Sequence, residues 1–182
     1  PEHDTVVAMF SCTDEMQTVL DAMWEHLLPA IGDDEHARPT ADDEALARRM
    51  ASLSQPTVAE RRGGRPLGTV DAMTFRRHPT EASHFTVTGI ETVGSRMIVH
   101  EDDGSIELPL TERWSIVDDS IAASATRLDD GAIAVDLAFL ATPHRLEIEL
   151  DPMAGTFVAR WPLMPLFGVG PGHRLAVLRA PA

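Results

Sequence analysis

Eight histidines are the first residues in this sequence that could bind a metal ion. His78 and His84 flank a Pro-Thr-Glu turn, and His100 opens an acidic run that ends at residue 103. Structural zinc needs a closed tetrahedral set with thiolates or several imidazoles, and calcium needs oxygen ligands at fixed positions in a loop. Neither pattern occurs, so we expect no metal and no cofactor. We interpret residues 101–103 as a solvated hairpin tip.

The sequence contains few of the residue types and motifs that nucleophilic catalysis requires. Cys12 is the single cysteine, which excludes an internal disulfide, and we interpret it as a buried structural thiol. A Gly-x-Ser-x-Gly elbow is absent, all fifteen basic residues are arginine, and there is no tyrosine. We interpret His26 as a helix-surface or core-edge residue and His144 as a turn-stabilising residue at the start of a strand. We therefore predict no catalytic residues in this chain.

The segment 57–66 combines Arg61, Arg62 and Arg65 with two adjacent glycines. Such a segment could bind phosphate through its backbone, but without a preceding strand and a following helix the motif is weak. We interpret it as a solvated linker.

The formal net charge of −14 disfavours binding to nucleic acid and to anionic membranes, because both need a basic face. No apolar run approaches the roughly 20 residues of a membrane-spanning helix. No signal peptide opens the chain. These features predict a cytoplasmic protein.

Two amphipathic helices should precede the rest of the fold. From Thr13 to Ile31, apolar residues recur with helical spacing, and Pro29 lies near the end. Thr13 is a suitable N-cap, and Ser11 with Asp14 offers a competing capping box. A buried strand is predicted just before it, over Thr5–Phe10. A second helix should begin at Thr40, with a capping box to residue 43, and should end near residue 54.

From Leu67 onward the apolar period changes to two, which indicates antiparallel strands with one solvated face. Asp103-Gly104 and Asp130-Gly131 predict hairpin turns. Eight or nine short strands predict a mainly β fold, an antiparallel barrel or sandwich of lipocalin-like type. The residues that could line a barrel interior are Trp114, Phe139, Phe157 and Trp161. The Pro-rich segment 161–171 is apolar, and we expect it to be buried against the helices.

Three stretches carry a resemblance to a known family. Residues 1–31 resemble the last strand and the C-terminal helix of serine β-lactamase-like hydrolases of the penicillin-binding type. The stretch 140–150 is a second match, and the hairpin at 102–104 with Arg113-Trp114 is a weaker third. In bacterial members of that group, similar sequences continue into an extra C-terminal β-domain.

The resemblance implies a division into three parts: residues 1–31 as the terminal strand and helix of a hydrolase domain, 32–66 as a linker with the second helix, and 67–182 as an accessory β-domain. The parent activity would be hydrolysis of an ester, amide or β-lactam through an acyl-serine. The required Ser-x-x-Lys cannot occur here, so we predict a non-catalytic accessory chain. Its partner would be the N-terminal hydrolase domain of the parent, or a second copy bound through Met16–Ile31. The alternative is a self-contained, lipocalin-like module that binds a small ligand in its barrel.

Overall fold

The computed structural model describes residues 6–9, 13, 15–31, 40–81, 86–102, 104–117 and 119–163. Its contacts divide the chain into two units, Pro1–Gln55 and Pro56–Ala182. The division into three parts at residues 31 and 66 stays a prediction.

The first unit is helical. Helix α1 spans Met16–Ala22 and continues through a π-helical turn, Met23–Leu27, into a 3₁₀ turn, Leu28–Ala30. Helix α2 spans Ala41–Ala51. The predicted capping box is present at its start: the Asp43 N–H donates to the Thr40 hydroxyl, and the Thr40 N–H donates to the Asp43 carboxylate.

Two predictions about the first unit are wrong. Residues 6–9 form no strand, and the remainder of the predicted strand at Thr5–Phe10 lies outside the described residues. Thr13 is not the N-cap of α1, because that position is taken by Glu15, whose N–H donates to the Thr13 hydroxyl at 3.0 Å. A strand needs a partner to accept its backbone hydrogen bonds, and the apolar composition of 5–10 cannot supply one.

The second unit is a nine-stranded, nearly closed barrel preceded by a short helix, α3, at Val58–Arg62. The fold is mainly β and lipocalin-like, as predicted. The strands are β1 Met73–Arg77, β2 Val87–Val93, β3 Arg96–Glu101, β4 Gly104–Pro109, β5 Ser115–Val117, β6 Ile121–Arg127, β7 Ile133–Phe139, β8 Arg145–Asp151 and β9 Thr156–Arg160.

Sheet order is β4-β3-β2-β1-β9-β8-β7-β6-β5, with every pair antiparallel except the parallel pair β1–β9. The predicted Asp130-Gly131 turn joins β6 to β7, whereas Asp103 of the other predicted turn lies outside the described residues. Gly131 has φ 93°, a conformation that glycine adopts without a steric penalty.

Two segments extend the short edge strand β5 along β6. β5 covers only the first part of β6. Beyond it, the Ala125 N–H donates to the Thr111 carbonyl at 2.7 Å, and Arg65 and Arg127 exchange backbone hydrogen bonds of 2.9 and 3.3 Å. These contacts satisfy backbone groups of β6 that would otherwise face an open edge.

A single hydrophobic core cluster fills the inside of the strands. It receives buried side chains from every strand except β5. The partly buried Val117 of β5 packs against it. Alternation holds on β8, where Leu146, Ile148 and Leu150 are buried. On β7 it fails, because Ala134 and Asp136 of the predicted wet face are buried as well. Helix α3 packs against β6 and β7, which explains the second buried face.

Candidate functional site

Helix α3 lies where a solvated linker was predicted, and its start is fixed by local sequence. Thr57 and Glu60 form a reciprocal capping box: the Glu60 N–H donates to the Thr57 hydroxyl at 3.3 Å, and the Thr57 N–H donates to the Glu60 carboxylate at 2.7 Å. The hydrogen bonds that the Thr57 N–H and the Thr57 hydroxyl donate to the Glu60 carboxylate lower the pKa of Glu60. Val58 is completely buried, and its N–H donates to the Ser124 hydroxyl on β6 at 3.2 Å. The helix is therefore anchored to the barrel by its first residue.

Four charged side chains meet beneath this helix, and we call them the α3 charge cluster: Arg61, Asp136, Arg145 and Glu147. Nη2 of Arg61 donates to Oδ2 of Asp136 at 2.6 Å and to Oε1 of Glu147 at 3.0 Å. Nη2 of Arg145 donates to the same Glu147 oxygen at 3.1 Å. Asp136 and Glu147 are directly opposite each other on β7 and β8, so the guanidinium groups offset the repulsion between two carboxylates.

Burial governs the electrostatics of this cluster. Asp136 is only 1% exposed, and this burial raises its pKa above the usual value for aspartate, while the hydrogen bond and charge of Arg61 oppose the rise. Burial would by itself lower the pKa of Arg61, but the hydrogen bonds and charges of Asp136 and Glu147 raise it. Since both carboxylates face guanidinium groups, the arrangement works chemically as an ion-pair clamp that holds α3 on the barrel.

The glycines after α3 have a structural role. Gly64 has φ 140°, and a side chain there would place its Cβ 2.4 Å from the Thr126 hydroxyl. The close approach lets the Thr126 hydroxyl donate to the Arg65 carbonyl at 3.1 Å. Arg61 and Arg62 are bound to carboxylates, with Arg62 pairing to Glu149 at 2.6 Å. The interpretation of 57–66 as a linker is therefore wrong, and its phosphate-binding alternative gains no support.

The sequence carried a usable signal for α3 that our interpretation missed. The pattern Thr57-x-x-Glu60 is the same type of capping box that correctly predicted α2 at Thr40. Asp136 carried no comparable signal, since it alternates with apolar neighbours like any solvent-facing strand residue.

The four predicted lining residues differ in their surroundings. Phe139 and Phe157 belong to the buried core cluster, and Trp161 packs against it while partly buried. The rings of Phe139 and Trp161 are 5.6 Å apart, and His144 meets Trp161 edge-on at 6.1 Å. Trp114 is half-buried and lies outside the core cluster. Whether any of them contacts a ligand stays a prediction.

The histidines have local partners. Nδ1 of His78 accepts the Glu81 N–H at 3.1 Å, and Nε2 of His100 lies 3.4 Å from a Glu91 carboxylate oxygen. His26 is exposed on its helix, and the His144 carbonyl accepts the Phe139 N–H at 3.1 Å in the β7–β8 turn. Within the described ranges, no group of three or more His, Cys, Asp or Glu side chains could hold a metal ion.

The acidic run after His100 is only partly a solvated tip. Glu101 ends β3 and accepts a hydrogen bond of 2.6 Å from the Thr86 hydroxyl, while Asp102 is exposed. Several further sequence features, His84, Cys12, Asp103 and residues 164–171 of the Pro-rich segment, lie outside the described residues.

Among the described residues, no helix is both long enough and apolar enough to cross a membrane. Comparison with protein-family models, with curated proteins and with solved structures finds no match for this chain.

Proposed function

We propose that this chain is the non-catalytic C-terminal part of a bacterial serine hydrolase of the β-lactamase-like type. In this proposal the first unit completes the hydrolase domain, and the barrel is an accessory domain. The observation that carries it is the unburied apolar surface of the first unit. Helices α1 and α2 contain no buried residue, and Trp24 and Leu27 are 66% and 41% exposed.

Exposed apolar side chains at this density indicate a surface that another protein covers. The resemblance of residues 1–31 to a terminal hydrolase strand and helix names the kind of protein, and residues 6–9, which form no strand here, would pair with a sheet edge of that domain. The barrel supports the accessory role in another way, because it has a core cluster of its own. Such a domain can stabilise a neighbouring active site or restrict access to it without taking part in the chemistry.

The deciding test is the sequence encoded upstream of Pro1. A Ser-x-x-Lys motif there, followed by a Tyr or Ser motif and a basic strand, would support the proposal. An upstream coding sequence without these motifs would contradict it.

Activity of this chain gives a second test. With neither lysine nor tyrosine in the sequence, the purified chain should hydrolyse nitrocefin and p-nitrophenyl esters no faster than buffer. A serine β-lactamase serves as the positive control. Turnover that a fluorophosphonate probe abolishes would contradict the proposal.

A ligand inside the barrel is the alternative function. Phe139 and Phe157, two of its predicted contacts, are instead packed in the buried core cluster, which favours a filled interior. Apolar fluorescent ligands should then bind weakly. Tight, saturable binding that quenches Trp114 or Trp161 would favour the alternative.

A further inference from the structure

Residues 16–30 form one continuous helical segment, and several of its large apolar side chains are exposed. Helix α1 leads directly into the π-helical turn and the 3₁₀ turn, and none of these residues is buried. Met16, Trp24 and Leu27 are all exposed. An isolated helix of about 15 residues is only marginally stable in water, because most helical stability in proteins comes from packing of the apolar face. The segment therefore depends on a surface that covers this face.

The charges on and around this segment are of one sign. Residues 1–37 contain nine of the 29 acidic residues of the chain and no arginine or lysine. Glu15 and Asp21 are exposed. Side chains three or four positions apart are neighbours on a helix, so Glu15 lies beside Val19 on one side of the apolar face. Asp21 lies beside Trp24 on the other side, and acidic side chains therefore border the face on both sides.

These acidic borders determine what kind of surface can cover the segment. A groove that holds an amphipathic helix binds its apolar face at positions i, i+3, i+4 and i+7, and the edges of the groove meet the borders of that face. Complementary charges at these edges favour binding, whereas like charges oppose it. A second copy of the chain would bring two acidic surfaces together. It is therefore a weaker partner than a protein with basic residues at the edges of its groove.

We propose that residues 16–30 bind in an apolar groove of a partner protein, and that the edges of this groove carry arginine or lysine. The exposed apolar side chains, Trp24 and Leu27 among them, enter the groove. Glu15 and Asp21 pair with its basic edges. This inference rests on the proposed function only in requiring a protein that covers the first unit, and it holds whether or not that protein is a hydrolase.

Two designed peptides test the charge of the partner. Both have the same leucine pattern on one helical face, and the remaining positions are lysine in one peptide and glutamate in the other. In titrations of the full chain followed by the anisotropy of labelled peptide, the lysine peptide should bind saturably and at least about tenfold more tightly than the glutamate peptide. Hydrogen exchange followed by mass spectrometry should show fast exchange of residues 16–30 in the monomeric chain alone and slow exchange with the lysine peptide bound.

Charge-removing variants locate the binding. Glu15→Gln together with Asp21→Asn should weaken binding of the lysine peptide about three- to tenfold, because an exposed ion pair contributes little by itself. Asparagine at position 21 still accepts the hydrogen bond that Nε2 of Gln17 donates to Asp21 at 2.7 Å. The matched control is Asp102→Asn with Asp129→Asn, which removes the same charge from exposed positions of the barrel and should leave the affinity unchanged.

Salt distinguishes the partner from a second copy. Raising NaCl from about 50 mM to about 500 mM should weaken binding of the lysine peptide and strengthen self-association measured by light scattering, because screening removes an attraction in the first case and a repulsion in the second. A salt response with the opposite sign in either assay would overturn the proposal.

Three further outcomes would also overturn it: no saturable binding of the lysine peptide, equal affinities for the two peptides, or equal losses in the helix variant and the barrel control. Slow exchange of residues 16–30 in the monomeric chain alone would do the same, since the apolar face would then already be covered. The sequence upstream of Pro1 tests the hydrolase assignment separately, so failure of either proposal is recognised without the other.

Discussion

Arg61 and Asp136 lie 75 residues apart in the sequence and form an ion pair of 2.6 Å in the structure. The aspartate is 1% exposed and the arginine side chain 23% exposed, so solvent screens this pair far less than a surface pair. The pair joins α3 to β7, and this contact makes α3 part of the barrel unit.

Removing the arginine should destabilise the barrel strongly. Arg61→Ala leaves Asp136 buried with its main counter-charge gone, and breaking such a pair from one side costs about 3 kcal/mol or more. Urea unfolding followed by circular dichroism measures this loss in the free energy of unfolding.

Arg62→Ala is the matched control, because the neighbouring pair with Glu149 is more exposed. That change should cost at most about 1 kcal/mol. Equal losses for the two variants would show that burial does not strengthen the Arg61 contact.

The pH dependence of stability should report the raised pKa of Asp136. Because burial raises this pKa in the folded state, the folded protein binds the proton more tightly than the unfolded chain does. The contribution of Asp136 to stability therefore increases as pH falls from neutral toward the ordinary aspartate value of 3.8. The groups facing it are Arg61 on α3, Arg145 and Glu147 on β8, and Ser124 on β6.

Asp136→Asn isolates this contribution, since it removes the titration at that position. We expect the unfolding free energy of wild type minus that of the variant to increase as the pH is lowered from 7 to 4. Urea titrations at several pH values measure it. If this difference decreases instead, the Arg61 charge outweighs burial and the pKa of Asp136 is lowered.

The two capping boxes should act on separate units. Thr57→Ala removes the hydroxyl that caps α3 and should cost the barrel about 1 kcal/mol. Thr40→Ala removes the equivalent cap of α2 in the first unit, and barrel stability should not change. Hydrogen exchange followed by mass spectrometry distinguishes the two, with faster exchange expected at 58–62 in one variant and at 41–51 in the other. Faster exchange of the barrel strands in Thr40→Ala would contradict this separation.

Self-association through Met16–Ile31 is the expected behaviour of the purified chain, because two identical apolar surfaces can cover each other about a two-fold axis. Light scattering should give a larger mass for wild type than for Leu20→Asp or Leu27→Asp. Met153→Asp, at a 95% exposed position in the β8–β9 turn, is the control and should keep the wild-type mass. If wild type is monomeric and the helix variants unfold, the apolar face of Met16–Ile31 is part of an internal core and self-association is contradicted.

Local interactions made much of this fold predictable from the sequence. The Thr40 capping box, the Asp130-Gly131 turn and the alternation on β8 each depend on residues within a few positions of one another. These interactions determine where helices and hairpins form, and eight or nine strands with this pattern indicate a barrel or a sandwich. The capping box at Thr57 is equally local, so α3 was also predictable from the sequence.

The tertiary structure alone decided which faces are covered. Asp136 has the sequence context of a solvent-facing residue and is buried because α3 packs over β7. The strand expected at Thr5–Phe10 has suitable composition, but strand formation depends on a hydrogen-bonding partner that composition does not supply. In each case the deciding contact joins segments far apart in the chain, and local patterns carry no information about such contacts.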